Sequence, residues 1–138
     1  MTARLMPGGP VAEAVFADLA PRIEALVAAG HTPGLGTILV GGDSASAGYI
    51  RMKMEKAESL GFTSPHIHLG DDATQADVLA AVRQMNEADD VDAVLIQHPT
   101  PPQIEFDAAL LALDPAKDVD GLHPVNMGRL ALGMPGPV

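Results

Sequence analysis

The sequence predicts an α/β domain, a three-layer sandwich with a mostly parallel sheet and helices on both faces. Short apolar runs suited to strands alternate with longer stretches of helical period, and strands joined by helices run parallel through right-handed crossovers. The run Ala93-Val-Leu-Ile96 is continuously apolar instead of alternating, as expected of a strand covered on both faces. A chain of 138 residues suits one domain with a sizeable core.

Val11, Val15, Leu19, Ile23, Leu26 and Val27 follow a near-helical period over residues 10–30. Pro21 falls inside that run and predicts a kink or a break. Leu35-Gly-Thr-Ile-Leu-Val40 reads as a buried strand closed by Gly41-Gly42-Asp43. A helix capped by Asp43 or Ser44 comes next and ends near Gly61, a suitable left-handed terminator. Residues 65–69 form a second, weaker strand. Thr74-Gln-Ala-Asp77 is a variant capping box that opens a helix with Val78, Leu79, Val82 and Met85 on one side. Residues 91–96 make the third strand. Beyond it lie a proline-rich loop, Gln97-His-Pro-Thr-Pro-Pro-Gln103, a short helix over about 105–113, and a polar turn over 114–121. A final apolar patch at 127–132 leads to Gly133-Met-Pro-Gly-Pro-Val138, which has linker chemistry.

Composition narrows the function. The charged fraction of 19% is too low for disorder. With no Trp and 3% aromatics, aliphatic residues and Met must fill the core, and that is the simplest use of the seven methionines. A net charge of −10 argues against a nucleic-acid partner, which requires a basic face. The absence of cysteine removes disulfides, thiolate nucleophiles and thiolate metal sites. Residues 1–9 lack the apolar core of a signal peptide, and no stretch suggests a membrane span or membrane attachment. A cytoplasmic protein is expected.

In open parallel sheets, ligands gather beyond the carboxyl ends of the strands. Ser46-Ala-Gly-Tyr49-Ile-Arg-Met-Lys53 opens the helix that follows the first strand. Tyr49 and Lys53 are four residues apart, so phenol and ammonium emerge on one helix face, and Ser46 can share it. This is a plausible acid/base site, although the spacing also fits a solvated face where lysine merely snorkels. Gln97 ends the third strand and belongs to the same rim, where its amide can equally bind loop backbone. Gly41-Gly42 can cradle an anion or form a plain tight turn. His66 and His68 share a strand face and offer two metal ligands without a clear third; the alternative is a pair of surface histidines, and no metal is expected.

Ser46-x-x-Tyr49-x-x-x-Lys53, then Gln97-x-Pro99-x-Pro101, then Lys117-Asp-Val-Asp120-Gly-Leu-His-Pro-Val-Asn126-x-Gly-Arg-Leu130 resemble the bifunctional methylenetetrahydrofolate dehydrogenase/methenyltetrahydrofolate cyclohydrolase family. The similarity runs from about Gly8 to the last residue. Any one motif would be weak, but the ordered set is specific. The resemblance implies catalytic roles for Lys53, Gln97 and Tyr49. It implies substrate binding by Tyr49, Ser46, Asp120, Gln97, Pro99 and Pro101. A partly buried lysine would exchange protons near neutral pH, because desolvation disfavours its charged form. Gln97 would hold it without pinning the charge. Asp120, acceptor-only when ionised, would take the N–H donors of a pterin, and Tyr49 would supply a flat surface for the aminobenzoyl ring. Asp118 is expected to point elsewhere and to matter less.

Some positions depart from the family pattern. His98 and Thr100 stand where leucines are usual, and Glu55 replaces a second lysine; it would raise the pKa of Lys53 if it faced the site. No G-x-G-x-x-G is present, since Gly34-Leu-Gly36 precedes its strand. The resemblance therefore implies a folate-binding catalytic domain over 1–132. Residues 133–138 would start a linker to a nucleotide-binding domain absent from this chain, and NADP would bind there. The activity implied is oxidation of methylenetetrahydrofolate with NADP and hydrolysis of the methenyl product to 10-formyltetrahydrofolate, with tetrahydrofolate as the substrate carrier. A homodimer is compatible with it. The alternatives are a stand-alone cyclohydrolase and a non-catalytic folate-binding or assembly module.

Overall fold

The computed structural model describes residues 5–137. The sequence readings that touch residues 1–4 and Val138 lie outside them. Eight elements follow in order: α1 (Gly8–Ala28), β1 (Leu35–Val40), α2 (Ser44–Ser59), β2 (His66–Leu69), α3 (Gln75–Glu87), β3 (Ala93–Ile96), α4 (Phe106–Ala112) and α5 (Pro124–Ala131). The strands form one sheet in the order β2-β1-β3, and both pairings are parallel.

β1 lies in the middle, and its alternate side chains go to opposite faces. Ile38 and Val40 join Val78, Ala81, Val82 and Met85 of α3, with Ala109 of α4 closing the same layer. Leu39 turns to the other face, where it meets Ile50 of α2 and Leu95 of β3. Helices therefore cover both faces of a parallel sheet, as predicted. Nothing lies between β1 and its neighbours but ladder: Ile38 stands opposite Ile67 on one side and Ile96 on the other.

The caps follow from the sequence. Asp43 accepts from the Ser46 amide at 2.7 Å and starts α2, and Gly61 takes φ +89° just past its end. At α3 both halves of the capping box are present. Thr74 Oγ1 accepts from the Asp77 amide, and Asp77 accepts from the Thr74 amide at 2.8 Å.

Two expectations need correction. The break at Pro21 does not occur, since α1 is one helix from Gly8 to Ala28. Proline removes only the bond to the Ala17 carbonyl, and Ala17 is exposed, so water can replace it. The patch at 127–132, assigned no structure from sequence, belongs to α5. His123 Nδ1 accepts from the Val125 amide as a cap, and Pro124 occupies the first helical position, where its missing N–H costs nothing.

Ile38 is fully buried, whereas Val15 on α1 is 51% exposed. Ile38→Ala should lower unfolding free energy by about 3 kcal/mol, from lost transfer plus a residual cavity. Val15→Ala should change it by less than about 0.5 kcal/mol. Urea denaturation measures both, and equal losses would contradict the core described.

Candidate functional site

The first turns of α2 carry the predicted helix face. Tyr49 and Lys53 both border an apolar cavity of about 390 Å³ between α1 and α2, with Leu19, Met52 and Phe62 in its wall. Lys53 Nζ donates to Gln97 Oε1 at 3.4 Å. Gln97 is itself held twice. Its backbone N–H donates to the Ile38 carbonyl at 2.8 Å, and its side-chain Nε2 donates to the His98 carbonyl at 2.7 Å. The second bond fixes which end of the amide faces the lysine, leaving the oxygen to accept.

Two details differ from expectation. Lys53 is exposed rather than partly buried, because α2 presents it at the rim. Ser46 does not share the open face of Tyr49 and Lys53. It is 3% exposed, folded into the Asp43 cap. Hydrogen bonds from the Ser46 amide, and then from its hydroxyl, hold the Asp43 carboxyl below its usual range.

β1 ends in the glycine turn, next to the proline loop that follows β3. Gly41 has φ +85°, and an added Cβ there would crowd the Asp71 carboxylate and the Pro101 ring. Pro99, Thr100 and Pro101 line a recess of about 250 Å³ with Gly42, Asp43 and Asp71. The Gly41 amide donates to Leu69 O and the Gly42 amide to Asp71 Oδ1, both at 2.9 Å. With its amides taken and two carboxylates beside it, the turn is a tight turn and does not fit a nucleotide phosphate.

Asp120 reaches the same rim by another route. Residue 118 pairs in parallel with Val94 of β3, and the Val94 amide donates to Lys117 O at 2.7 Å. A segment parallel to β3 runs toward the carboxyl end of the sheet, so Asp120 emerges beside the end that leads to Gln97. Gly121, at φ +67°, then turns the chain. The Asp120 side chain is exposed and makes no hydrogen bond or ion pair among the described residues. Asp118 does point elsewhere, but inward: it is 2% exposed and accepts three hydrogen bonds. Sequence reasoning missed this anchor, whose only signal was the adjacent Lys117-Asp118 pair in the matched motif.

The departures from the family pattern are located as follows. Glu55 pairs with Arg51 at 3.8 Å and borders a separate groove with Glu58, His66 and His68, away from Lys53. The His98 ring stands edge-on to Phe106, centroids 5.0 Å apart. The two strand histidines have protein partners. His68 Nε2 donates to Gly41 O at 2.9 Å, and His66 Nδ1 lies 2.8 Å from Thr37 Oγ1. Among the described residues no three His, Asp or Glu side chains are grouped to hold a metal ion. No described helix is long and apolar enough to cross a membrane.

Residues 6–120 match the family model described as "Tetrahydrofolate dehydrogenase/cyclohydrolase, catalytic domain". The chain is 58% identical over 135 residues to "Bifunctional protein FolD 1" of Salinispora tropica, covering 98% of this chain and 44% of that protein. Among solved structures, it resembles a 5,10-methylenetetrahydrofolate dehydrogenase from the silkworm Bombyx mori, with TM-score 0.92 and 34% identity. That match covers 99% of this chain and 48% of the other. A second is the methylenetetrahydrofolate dehydrogenase-cyclohydrolase (FolD) of Trypanosoma brucei, complexed with NADP cofactor and inhibitor. There the TM-score is 0.89 and identity 34%, over 94% of this chain and 45% of the other. The chain thus spans about half the length of the curated relatives it matches.

His66 titrates below its ordinary value, first because burial disfavours the imidazolium, then because His68 is close; a hydrogen bond with the Thr37 backbone works the other way. A histidine depressed in the folded state adds stability that is present above the unfolded value, about 6.5, and is lost as pH falls through the folded one. Thermal stability should therefore decline below about pH 6.5, and His66→Gln should flatten that part of the profile. An unchanged slope in the variant would remove His66 as its source.

Proposed function

Because this chain belongs to the tetrahydrofolate dehydrogenase/cyclohydrolase family, we propose that it is the folate-binding catalytic part of a bifunctional enzyme. That enzyme would oxidise methylenetetrahydrofolate with NADP and hydrolyse methenyltetrahydrofolate to 10-formyltetrahydrofolate. The observation that carries the proposal is Lys53 facing the oxygen of an oriented Gln97 amide, 3.4 Å away, at the carboxyl rim of a parallel sheet.

In the hydrolysis, water adds to the cationic methenyl carbon between N5 and N10. Lys53 relays one proton away from that water, leaving a tetrahedral adduct. As the adduct collapses, the carbon–N5 bond breaks and the lysine ammonium returns a proton to N5. The second water proton goes to solvent, so atoms and charge balance. Gln97 accepts from the lysine in either protonation state and cannot neutralise it, whereas a carboxylate would favour the ammonium. Tyr49 borders the cavity and offers its ring to the aminobenzoyl group. Asp120 brings an unpartnered carboxylate to the pterin N–H donors. Pro99 and Pro101 wall the recess at the glycine turn, and Ser46 acts by holding the start of α2.

NADP would supply hydride acceptance in the oxidation. The described residues do not fit it, since the one glycine turn at the rim has its amides satisfied and carboxylates beside it. We therefore assign NADP to residues beyond this chain, joined through a linker starting at 133–138, with 1–132 as the folate domain. Our proposal includes a cytoplasmic protein that works on a small folate without nucleic acid or membrane, able to form a homodimer.

Lys53→Met keeps the side-chain length and removes the proton carrier. Hydrolysis of methenyltetrahydrofolate should fall about a hundredfold or more, with folate binding largely kept. Near-parent hydrolysis would demote Lys53 to a surface residue. Asp120→Ala should raise the folate dissociation constant about thirtyfold, on the order of 2 kcal/mol, with the saturated rate mostly retained. Titration calorimetry and steady-state kinetics separate the two effects, and a variant with parent affinity would rule out Asp120 as a pterin ligand.

A further inference from the structure

The turn that carries Asp120 is fixed by the residue two positions before it. Three N–H donors converge on the Asp118 carboxylate. The Leu122 amide reaches Oδ1 at 3.3 Å, while the His123 amide and Asn126 Nδ2 reach Oδ2 at 2.8 and 2.9 Å. Asp118, His123 and Asn126 are all at least nine-tenths buried. Asn126 Nδ2 also donates to Pro115 O at 2.7 Å, which ties the start of α5 to the chain ahead of the turn.

The neighbour of Asp118 secures the other side. Lys117 Nζ donates to the carbonyls of Met85, Asn86 and Ala88, which the end of α3 leaves without helix partners. Lys117 and Asp118 point in opposite directions, one bolted to the end of α3 and the other to the start of α5. Val119 packs against the Leu39, Ile50 and Leu95 cluster beneath α2. Asp120 is the first side chain after these attachments that is exposed and unattached among the described residues.

We propose that Asp118 is a positioning residue for substrate binding. By gathering the amides at 122 and 123 and the Asn126 side chain, it sets the 118–126 turn and so the place where Asp120 meets the folate. This rests on the reading of Asp120 as the pterin ligand, and it adds that Asp118 acts on affinity only through Asp120. A buried carboxylate suits the task because it is acceptor-only and all three incoming groups are donors. Asparagine has the same shape, but it turns one acceptor into a donor and sets N–H against N–H.

The test is a double-mutant cycle in this chain, read as the dissociation constant for tetrahydrofolate by calorimetry and as methenyltetrahydrofolate hydrolysis. Asp118→Asn should weaken binding roughly tenfold and leave the saturated rate near parent. In an Asp120→Ala background the same substitution should change affinity less than about twofold, since the group it positions is gone. A purely structural role would weaken binding equally in both backgrounds, and that result would overturn the proposal, as would parent affinity in Asp118→Asn. If Asp120→Ala binds like the parent, the assignment of Asp120 fails first and the proposal falls with it. Should circular dichroism show Asp118→Asn unfolded, Asn126→Ala serves instead. It withdraws one of the three donors, and its few-fold loss of affinity should vanish in the same background.

Discussion

Strand β1 cannot slip by one residue against its neighbours without turning Ile38 and Val40 toward α2 and Leu39 toward α3. Both faces are buried and both edges are paired, so the penalty falls on two core layers at once. That register fixes the site. It places the glycine turn where Pro101 and Asp71 close on it, and it lets the Ile38 carbonyl receive the Gln97 amide at the neighbouring strand end. The Lys53–Gln97 contact joins two elements that leave adjacent parallel strands at the same end of the sheet.

Gln97 is the more constrained of the pair. A glutamine side chain can present either its oxygen or its nitrogen, and only the oxygen suits a lysine. The bond from Nε2 to the His98 carbonyl makes that choice, with the backbone supplying the acceptor. The partner of Lys53 is thus an uncharged dipole, while the carboxylates that line the glycine turn are engaged by backbone amides, Asp43 by Ser46 and Asp71 by Gly42.

Most elements were legible because their cores are periodic. β1, with five of six residues buried, and α3, with Val78, Val82 and Met85 inward as read and Ala81 in place of the half-buried Leu79, announce themselves by spacing. α5 did not, for a physical reason: the residue it buries is Asn126, while Val125, Met127 and Leu130 lie outward. A helix anchored through a polar side chain, with its apolar residues outward, has no apolar stripe that marks a core face. For the candidate site, the sequence placed its residues along one rim but did not give their arrangement. Lys53 and Gln97 do meet, yet the exposure of the one, the burial of Ser46 and the three donors on Asp118 depend on contacts between segments far apart in sequence. The direction of Glu55 was open for a similar reason, since one helix position can lean toward either flanking groove.

The chain holds a single tyrosine and no tryptophan, and that tyrosine is Tyr49, 55% exposed at the mouth of the cavity beside Lys53. Its near-ultraviolet emission therefore originates almost wholly from one ring, with three phenylalanines contributing little. Whatever lies flat on that ring changes its solvent contact and its excited-state lifetime. On the proposal that the folate's aminobenzoyl ring lies against Tyr49, light from this chain would report occupancy there without an added label.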